Sequence, residues 1–373
     1  MDRIAALVAE EALLAGAGPD QAPVLPLTGA PNVRLPGHVR SAAKAAIDDA
    51  GVKASSRGLL RLRSALAQNL CRTWGQNVDP DTDVLVTNGA MHAISVLLRA
   101  LVPRGREVIM PIPTFLFDGV LAGAGLRSRY VPPSDTVRWT WDVDAIEAAI
   151  GPETHAILVC NPENPSGYVP EPATVARLAK VASDRGLIMI SDESYARFVY
   201  RPAVHTSFGA LQAQDRLVVV GSMSKSYAMS SWRVGFLVAK RDLVSACLPV
   251  LEWDSIRCGY VAQAAAAAAV EGPQGWMSAV IERYQRNRDR TADMTLPGLP
   301  IPKPDGGAFL FLRLANVDAL HRAGIPAVAG EYFKAPAYAR IPFGGPVEAI
   351  EHLEVRLGQL LSAMVPRPEQ DRV

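Results

Sequence analysis

The chain has 373 residues, more than one core ordinarily organises, with 49% hydrophobic and 20% charged residues and a formal net charge of +1; this fits a compact enzyme of two lobes. So even a balance gives no electrostatic reason to expect nucleic acid or an anionic membrane as partner. Four cysteines, Cys71, Cys160, Cys247 and Cys258, lie far apart with no metal-like spacing, which argues against a disulfide framework or zinc site and points to a reduced, cytoplasmic protein.

In chain order, the opening MDRIAALVAEEALLAGAG mixes acidic residues with apolar ones at helical spacing, so it reads as an amphipathic helix and not as a signal peptide. No run of about 18 apolar residues exists to cross a bilayer. VLPLTGAPNVRLPGHVRSAAKAAIDD passes from an extended, proline-rich segment into a helix beginning near Pro36, and KASSRGLLRLRSALAQNL leads into a second amphipathic helix. VLVTNGAMHAISVLLRAL reads as strand, tight turn and helix. The first amides of a helix lack carbonyl partners and carry a positive partial charge, so Gly89, Ala90 and Met91 can present backbone N–H groups to a phosphate. His92 sits in that first turn with no acid, base or metal partner nearby in sequence, which favours a structural role. EVIMPIPTFLFDGVLAGAGLRSRYV gives strand, helix and strand, with Phe117 expected in the core; its GAG lacks the downstream spacing of a dinucleotide loop.

THAILVCNPENPSGYVP runs a strand into two Asn-Pro pairs, a rigid connection suited to fixing a side chain. Cys160, at the end of that strand, reads as packing. In GLIMISDESYARFVY, buried strand residues lead to Asp192, with Tyr195 three residues on; a carboxylate at the end of a buried strand is costly unless paired. Glu193 is expected to face solvent or cap a turn. LVVVGSMSKSYAMSSWRVGFLVA sets Lys225 between two apolar runs. Alone, such a lysine would read as a surface ammonium on a snorkelling stem. Ser222 before it and Arg233 after it add a neutral donor and a two-toothed guanidinium, groups that would hold a phosphate dianion beside a Schiff base. Helices are expected through about residue 292, with the alanine run 264–269 close-packed and IERYQRNRDR forming a solvated face. After the turn-rich LPGLPIPKPDGG, a smaller lobe begins with strand AFLFLRL and continues through VAGEYFKAPAYARIPFGG.

The lysine window, the Asn-Pro segment and the Asp192–Tyr195 segment resemble, in content and order, the fold-type I pyridoxal-phosphate enzymes of the class I/II aminotransferase family, and the resemblance runs from about residue 25 to about residue 363. It implies an α/β fold with a mostly parallel central sheet, helices on both faces and a smaller α+β domain. Residues 1–35 would join the small domain, 36–275 would form the large cofactor-binding domain, and 276–373 the small C-terminal domain. Pyridoxal 5'-phosphate would form an internal aldimine with Lys225, its phosphate held by Gly89, Ala90, Met91, Ser222 and Arg233. The resemblance puts Phe115 against the ring, Asp192 at the ring nitrogen, Asn164 and Tyr195 at the phenolic oxygen, and Gly29, Asn164 and Arg340 at the substrate. NPENPSG departs from the family in having Ser166 in a threonine's place, and Ile341-Pro342 replace a Leu-Ser pair. Lys53 stands where the family carries an aromatic that reaches the partner subunit's phosphate. Lys53 and Arg257 are thus the possible cross-subunit residues of an implied homodimer, and no metal is implied.

The implied reaction moves the amino group of an L-amino acid to a 2-oxo acid, with the freed Lys225 amine as the base at Cα and a pKa lowered from about 10.4. A lyase or cyclase acting at Cβ or Cγ, in the manner of capreomycidine synthase, is the alternative. A third reading is a ligand-sensing domain of a transcription regulator, for which the N-terminal segment leaves no room for the usual DNA-binding module.

Overall fold

The structure, a computed structural model, describes residues 22–49, 55–211, 215–296 and 298–364. The expected N-terminal helix and Lys53 lie outside the described residues. The larger of two compact units holds residues 30–281 with 305–307. Its seven strands are β1 (Val84–Thr87), β2 (Glu107–Pro111), β3 (Arg127–Val131), β4 (Thr154–Cys160), β5 (Ile188–Asp192), β6 (Leu217–Ser222) and β7 (Gly235–Ala239), in the order β1-β7-β6-β5-β4-β2-β3. All neighbours pair in parallel except at β7, which is antiparallel to β6 and β1. The link from β6 to β7 contains α7 (Met223–Ser226), a helix of 4 residues, which is too little for a crossover, so β7 returns antiparallel.

Strands such as ILVC and VVVG read as unbroken apolar runs because helices cover both faces. On one face, Ile188, Ile190, Val218 and Val220 pack with α3 (Ala90–Leu101), α4 (Asp118–Ala124) and α8 (Arg241–Ser255). On the other, Ile157, Val159, Met189 and Val219 meet α5 (Val143–Ala148) and α6 (Pro172–Asp184). There too α1 (Gly37–Asp48), α2 (Leu60–Trp74) and α9 (Tyr260–Glu271) share a core with Val84 and Val86. The alanine run is buried along its whole length, and its small side chains let α9 lie close against α1 and α2. Phe117 is buried as expected.

Parallel pairing aligns the strand ends. Cys160 faces Asp192 in register, and Asp192 faces Val220. Two further bonds, Asn161 N–H to the Asp192 carbonyl and Glu193 N–H to the Val220 carbonyl, extend the ladder one step past the strands. The loops after β4, β5 and β6 therefore leave the sheet at one edge.

The smaller unit runs up to residue 29 and takes in 282–304 and 308 onward. It has an antiparallel sheet, β8-β10-β9, formed by β8 (Phe309–Leu312), β9 (Val328–Ala329) and β10 (Ala339–Pro342), with α11 (Val317–Arg322) and α12 (Val347–Met364). The chain enters this unit along α10 (Gly275–Ala292). IERYQRNRDR lies here and is not a solvated face throughout. Tyr284, Asn287, Arg288 and Thr291, spaced i, i+3, i+4 and i+7, are all buried. Asn287 Nδ2 donates to the carbonyls of Phe343 and Gly345, and Arg288 donates to that of Pro304. Helical period overrides composition here: two of the polar residues face inward because backbone carbonyls await them. Among the described residues no helix is long and apolar enough to cross a membrane.

Candidate functional site

The phosphate-holding groups named from sequence converge in the larger unit. α3 starts at Gly89, whose φ of 88° suits glycine, and no side chain caps its first amides. A Cβ on Gly89 would lie 2.3 Å from Arg233 Nη2, and one on Gly235 would lie 2.4 Å from the Gly89 carbonyl carbon. Two missing side chains thus let the guanidinium lie against the start of α3. Arg233 itself has φ 52° and ψ 49°, a left-handed conformation costly for a side chain of its size. Its Nη1 donates to Ser224 Oγ at 3.3 Å and to the Ser230 carbonyl at 2.9 Å.

Ser224 is a residue the sequence reading missed. Ser222 Oγ accepts the Ser224 N–H at 3.1 Å and so caps α7, the helix that carries Lys225. Ser224 supplies the hydroxyl next to the arginine. Both serines are visible in SMSK, but only the helical turn shows which one meets Arg233. Met91 packs its side chain against the core, leaving its backbone as the useful part. His92 Nδ1 accepts the Asn88 N–H at 3.1 Å. It also has an acid neighbour that sequence distance concealed, Asp254, 3.6 Å from Nε2.

Asp192 ends β5, 8% exposed, with Oδ1 accepting the Ser194 N–H at 2.9 Å. Burial raises its carboxyl above the usual range, opposed by Ser194 and by the nearby charge of Lys225. A cation beside it would reverse that shift. Lys225 Nζ lies 5.8 Å from the centre of the Tyr195 ring, which is itself buried and packed edge-on against Phe198. Phe115 meets Phe117 edge-on, and the buried Cys160 thiol lies by the backbone of both Phe115 and Asn164. Burial pushes that thiol well up, in keeping with a packing role.

Asn164 is buried in a setting the sequence did not reveal. Its N–H donates to Glu163 Oε1 at 3.1 Å, while Glu163 Oε2 accepts the Trp141 indole N–H at 3.2 Å. Burial drives the Glu163 carboxyl well above the ordinary range, and its two oxygens, held by Asn164 and Trp141, brace the Asn-Pro turn. Glu193 also corrects an expectation. It does not face solvent: Oε1 accepts from Ser191 Oγ and from the Phe208 N–H, tying β5 to the 206–210 segment.

In the smaller unit, Arg340 is 4% exposed on β10, with its guanidinium 4.2 Å from the centre of the Phe309 ring and 4.8 Å from that of Phe333. A Cβ on Gly29 would lie 2.3 Å from the same Phe309 ring. Gly29 and Arg340, named for the substrate's carboxylate, thus meet at Phe309, and the glycine's bareness makes room for that ring. Two aromatic faces hold the fork flat, each cation–π contact worth about 0.5–2 kcal/mol. Arg257 is exposed in the larger unit, after Ile256 at φ 61° and ψ −53°, and its N–H closes a tight turn onto the Ser255 carbonyl.

These residues suit the cofactor that the resemblance implies. There are helix amides and a guanidinium for a phosphate, a buried carboxylate that would gain from a cationic ring nitrogen, and a lysine whose charge reaches that carboxylate. No cluster of metal-ligating side chains occurs among the described residues.

Comparison with known proteins agrees. The family profile for aminotransferase class I and II matches residues 28–357. The chain is 30% identical over 340 residues to a probable N-acetyl-LL-diaminopimelate aminotransferase of Bacillus subtilis, covering 86% of this chain and 84% of that one. Among solved structures, the aspartate aminotransferase of Thermus thermophilus with maleate superposes with a TM-score of 0.89 at 26% identity, over 97% of each chain. The aromatic aminotransferase of Pyrococcus horikoshii gives 0.85 at 28% identity, over 95% of this chain and 99% of that one.

Proposed function

Because the chain belongs to the class I and II aminotransferases, enzymes that depend on pyridoxal phosphate, we propose that it transfers the amino group of an L-amino acid to a 2-oxo acid with Lys225 as the residue that binds the cofactor covalently. The observation that carries this reading is the meeting of Lys225 and Asp192 at one sheet edge, with the Arg233–Gly89 contact built beside them. When bound, the cofactor supplies the electron sink for charge released at the substrate's Cα.

The remaining work falls to side chains. The first amides of α3, Ser222, Ser224 and Arg233 would hold the phosphate, and Asp192 would keep the ring nitrogen protonated. Asn164 and Tyr195 would donate to the phenolic oxygen, and Phe115 would lie on the ring face. Arg340, kept flat by Phe309 and Phe333, would grip the substrate's carboxylate through both teeth of its fork. Lys225 Nζ would carry the proton away from the substrate's Cα. The relatives named above act on different amino acids, so the side chain accepted here needs direct assay.

A homodimer is part of this reading. Trp253 is 91% exposed and Ile256 61% exposed, and both flank Arg257. Apolar surface beside a cation suits burial against a second copy, with Arg257 presented across the contact. A cytoplasmic location also belongs to the proposal, resting on four free cysteines.

The test is to mix purified holoenzyme with each of the twenty amino acids and follow the cofactor's absorbance. Conversion to the pyridoxamine form with a 2-oxo acid as product supports transamination; release of ammonia or a rearranged amino acid would establish the lyase or cyclase instead. Borohydride treatment followed by peptide mapping should place the pyridoxyl group on Lys225. A Lys225→Ala chain that still yields a borohydride-stable adduct would refute that assignment.

A further inference from the structure

On the sheet face opposite α3 lies a cavity of about 280 Å³ that shares with the cofactor-holding residues only Ser222 on its wall. It sits between β6 and α2 and is partly made by Gly221. In the row Leu217, Val219, Gly221 the last position has no side chain, and a Cβ there would run into the Phe236 ring at 2.2 Å. Leu66, Leu70, Trp74, Val219, Tyr227 and Phe236 supply apolar and aromatic walls, and the volume falls near the small end of the roughly 300–1,000 Å³ usual for small-molecule sites.

The polar end is electrostatically one-sided. Arg197 lines the cavity with its guanidinium 5.0 Å from the centre of the Tyr227 ring, and its Nη1 is fixed by the Ser226 carbonyl at 3.1 Å and Gln274 Oε1 at 2.9 Å. Both of those partners are neutral, and among the described residues no carboxylate lies within ion-pair distance of Arg197. The other titratable groups on the wall do not cancel its charge in mildly acidic solution. Burial raises the Glu193 carboxyl to about 7 and lowers the His205 imidazole to about 4, so both are uncharged between those values. Glu193 Oε1 is, moreover, turned toward Ser191 and Phe208.

We propose that this cavity is a second ligand site, for a small carboxylic acid with an apolar or aromatic body, its carboxylate on Arg197 and its body among Trp74, Tyr227 and Phe236. Occupancy there bears on the reaction through the chain itself: Ser226 and Tyr227 follow Lys225 directly, and Glu193 follows Asp192. A ligand that presses on both neighbours shifts the two groups that hold the cofactor. The site is thus regulatory and does not compete with the amino-acid substrate.

The probe is 3-phenylpropionate, titrated calorimetrically into holoenzyme at mildly acidic pH. Binding of one equivalent per chain is expected, weakened about tenfold or more, roughly 1.4 kcal/mol, by Arg197→Leu and by Leu70→Trp, the second of which fills the cavity from the α2 side. Against an amino donor the compound should change the maximal rate and leave the donor's apparent affinity alone. Both variants are checked for a normal cofactor spectrum; because Leu70→Trp acts from α2, it keeps the test open if Arg197→Leu disturbs the Lys225 turn. Loss of the heat in Arg340→Ala with no change in Leu70→Trp would put the compound in the substrate site and overturn the proposal. So would purely competitive inhibition, or no heat at all.

Discussion

At the scale of single residues, the proposed cofactor site depends on atoms that are missing as much as on those present. Gly89 has a left-handed φ and a Cβ position occupied by Arg233 Nη2. Gly89→Ala should therefore cost about 1–3 kcal/mol of stability and displace the guanidinium, weakening cofactor binding about tenfold or more; urea denaturation and a cofactor titration read the two effects, and unchanged affinity would disprove the contact's role. Sequence suggested that Gly89 mattered, through its place before a helix, but assigned the role to its amide. The collision with Arg233 becomes visible only when residues 144 positions apart are folded together.

Glu193 and His205 make a second residue-scale case, with Oε2 and Nε2 3.8 Å apart. In the folded chain Glu193 keeps a proton up to about 7 that an unfolded carboxyl releases near 4.5. Its stabilising contribution is present below about 4.5 and is lost as pH rises through 7. His205, lowered to about 4, stays neutral where an unfolded imidazole, with its ordinary value of 6.5, is protonated, so its contribution grows as pH rises toward 6.5. Between these limits the two trends oppose and the groups are not an ion pair. Glu193→Gln removes only the falling trend, so its denaturation midpoint should climb from mildly acid to neutral pH more steeply than that of the wild type; parallel profiles would count against the argument.

At the scale of elements, β4, β5 and β6 were legible because both-face burial gives unbroken apolar runs, and their C-terminal ends carry Asn164, Asp192 and Lys225 in chain order. The antiparallel return of β7 follows from a short link whose meaning depends on what it holds, which apolar patterning cannot say. α10 was read only in part for a related reason: Glu282, Arg286 and Arg290 do form an exposed face, but the opposite face is buried. Arginine content suggests solvent, whereas the i, i+3, i+4, i+7 positions take Asn287 and Arg288 inside to meet carbonyls that are distant in sequence. The alanines of α9 were read correctly, since only close neighbours explain such a run. Ala266→Leu should overpack the contact with α1 and α2 and destabilise by about 1–3 kcal/mol, seen as a lower urea midpoint. A midpoint equal to the wild type's would mean that α9 has room to spare.

At the scale of the whole molecule, the proposed pairing of two chains rests on Trp253 and Ile256. Trp253→Glu puts a charge where an apolar contact is proposed, so sedimentation should show a shift from dimer toward single chains on dilution. The wild type sedimenting as a single chain at all concentrations would remove the basis for cross-subunit roles of Arg257 and Lys53. The sequence offers those roles only through the family resemblance, because apolar and polar patterning along one chain does not say which surface meets a second copy. The turn-rich stretch near residue 300, from which the sequence suggests that a smaller lobe begins, ends in Asp305, Gly306 and Gly307, and these three cluster with the larger unit.

The smaller unit is sewn from both ends of the described chain: Thr28 bridges to Gly344, and the Leu25 N–H bonds to the Gly324 carbonyl. On a ribosome, the seven-stranded sheet has all its strands once residue 239 has emerged, while the segment around Thr28 must wait for more than a hundred further residues. During that wait the early segment has no place to settle, so translation stalls in this window would leave it open to chaperones and proteases even though the sheet is already built.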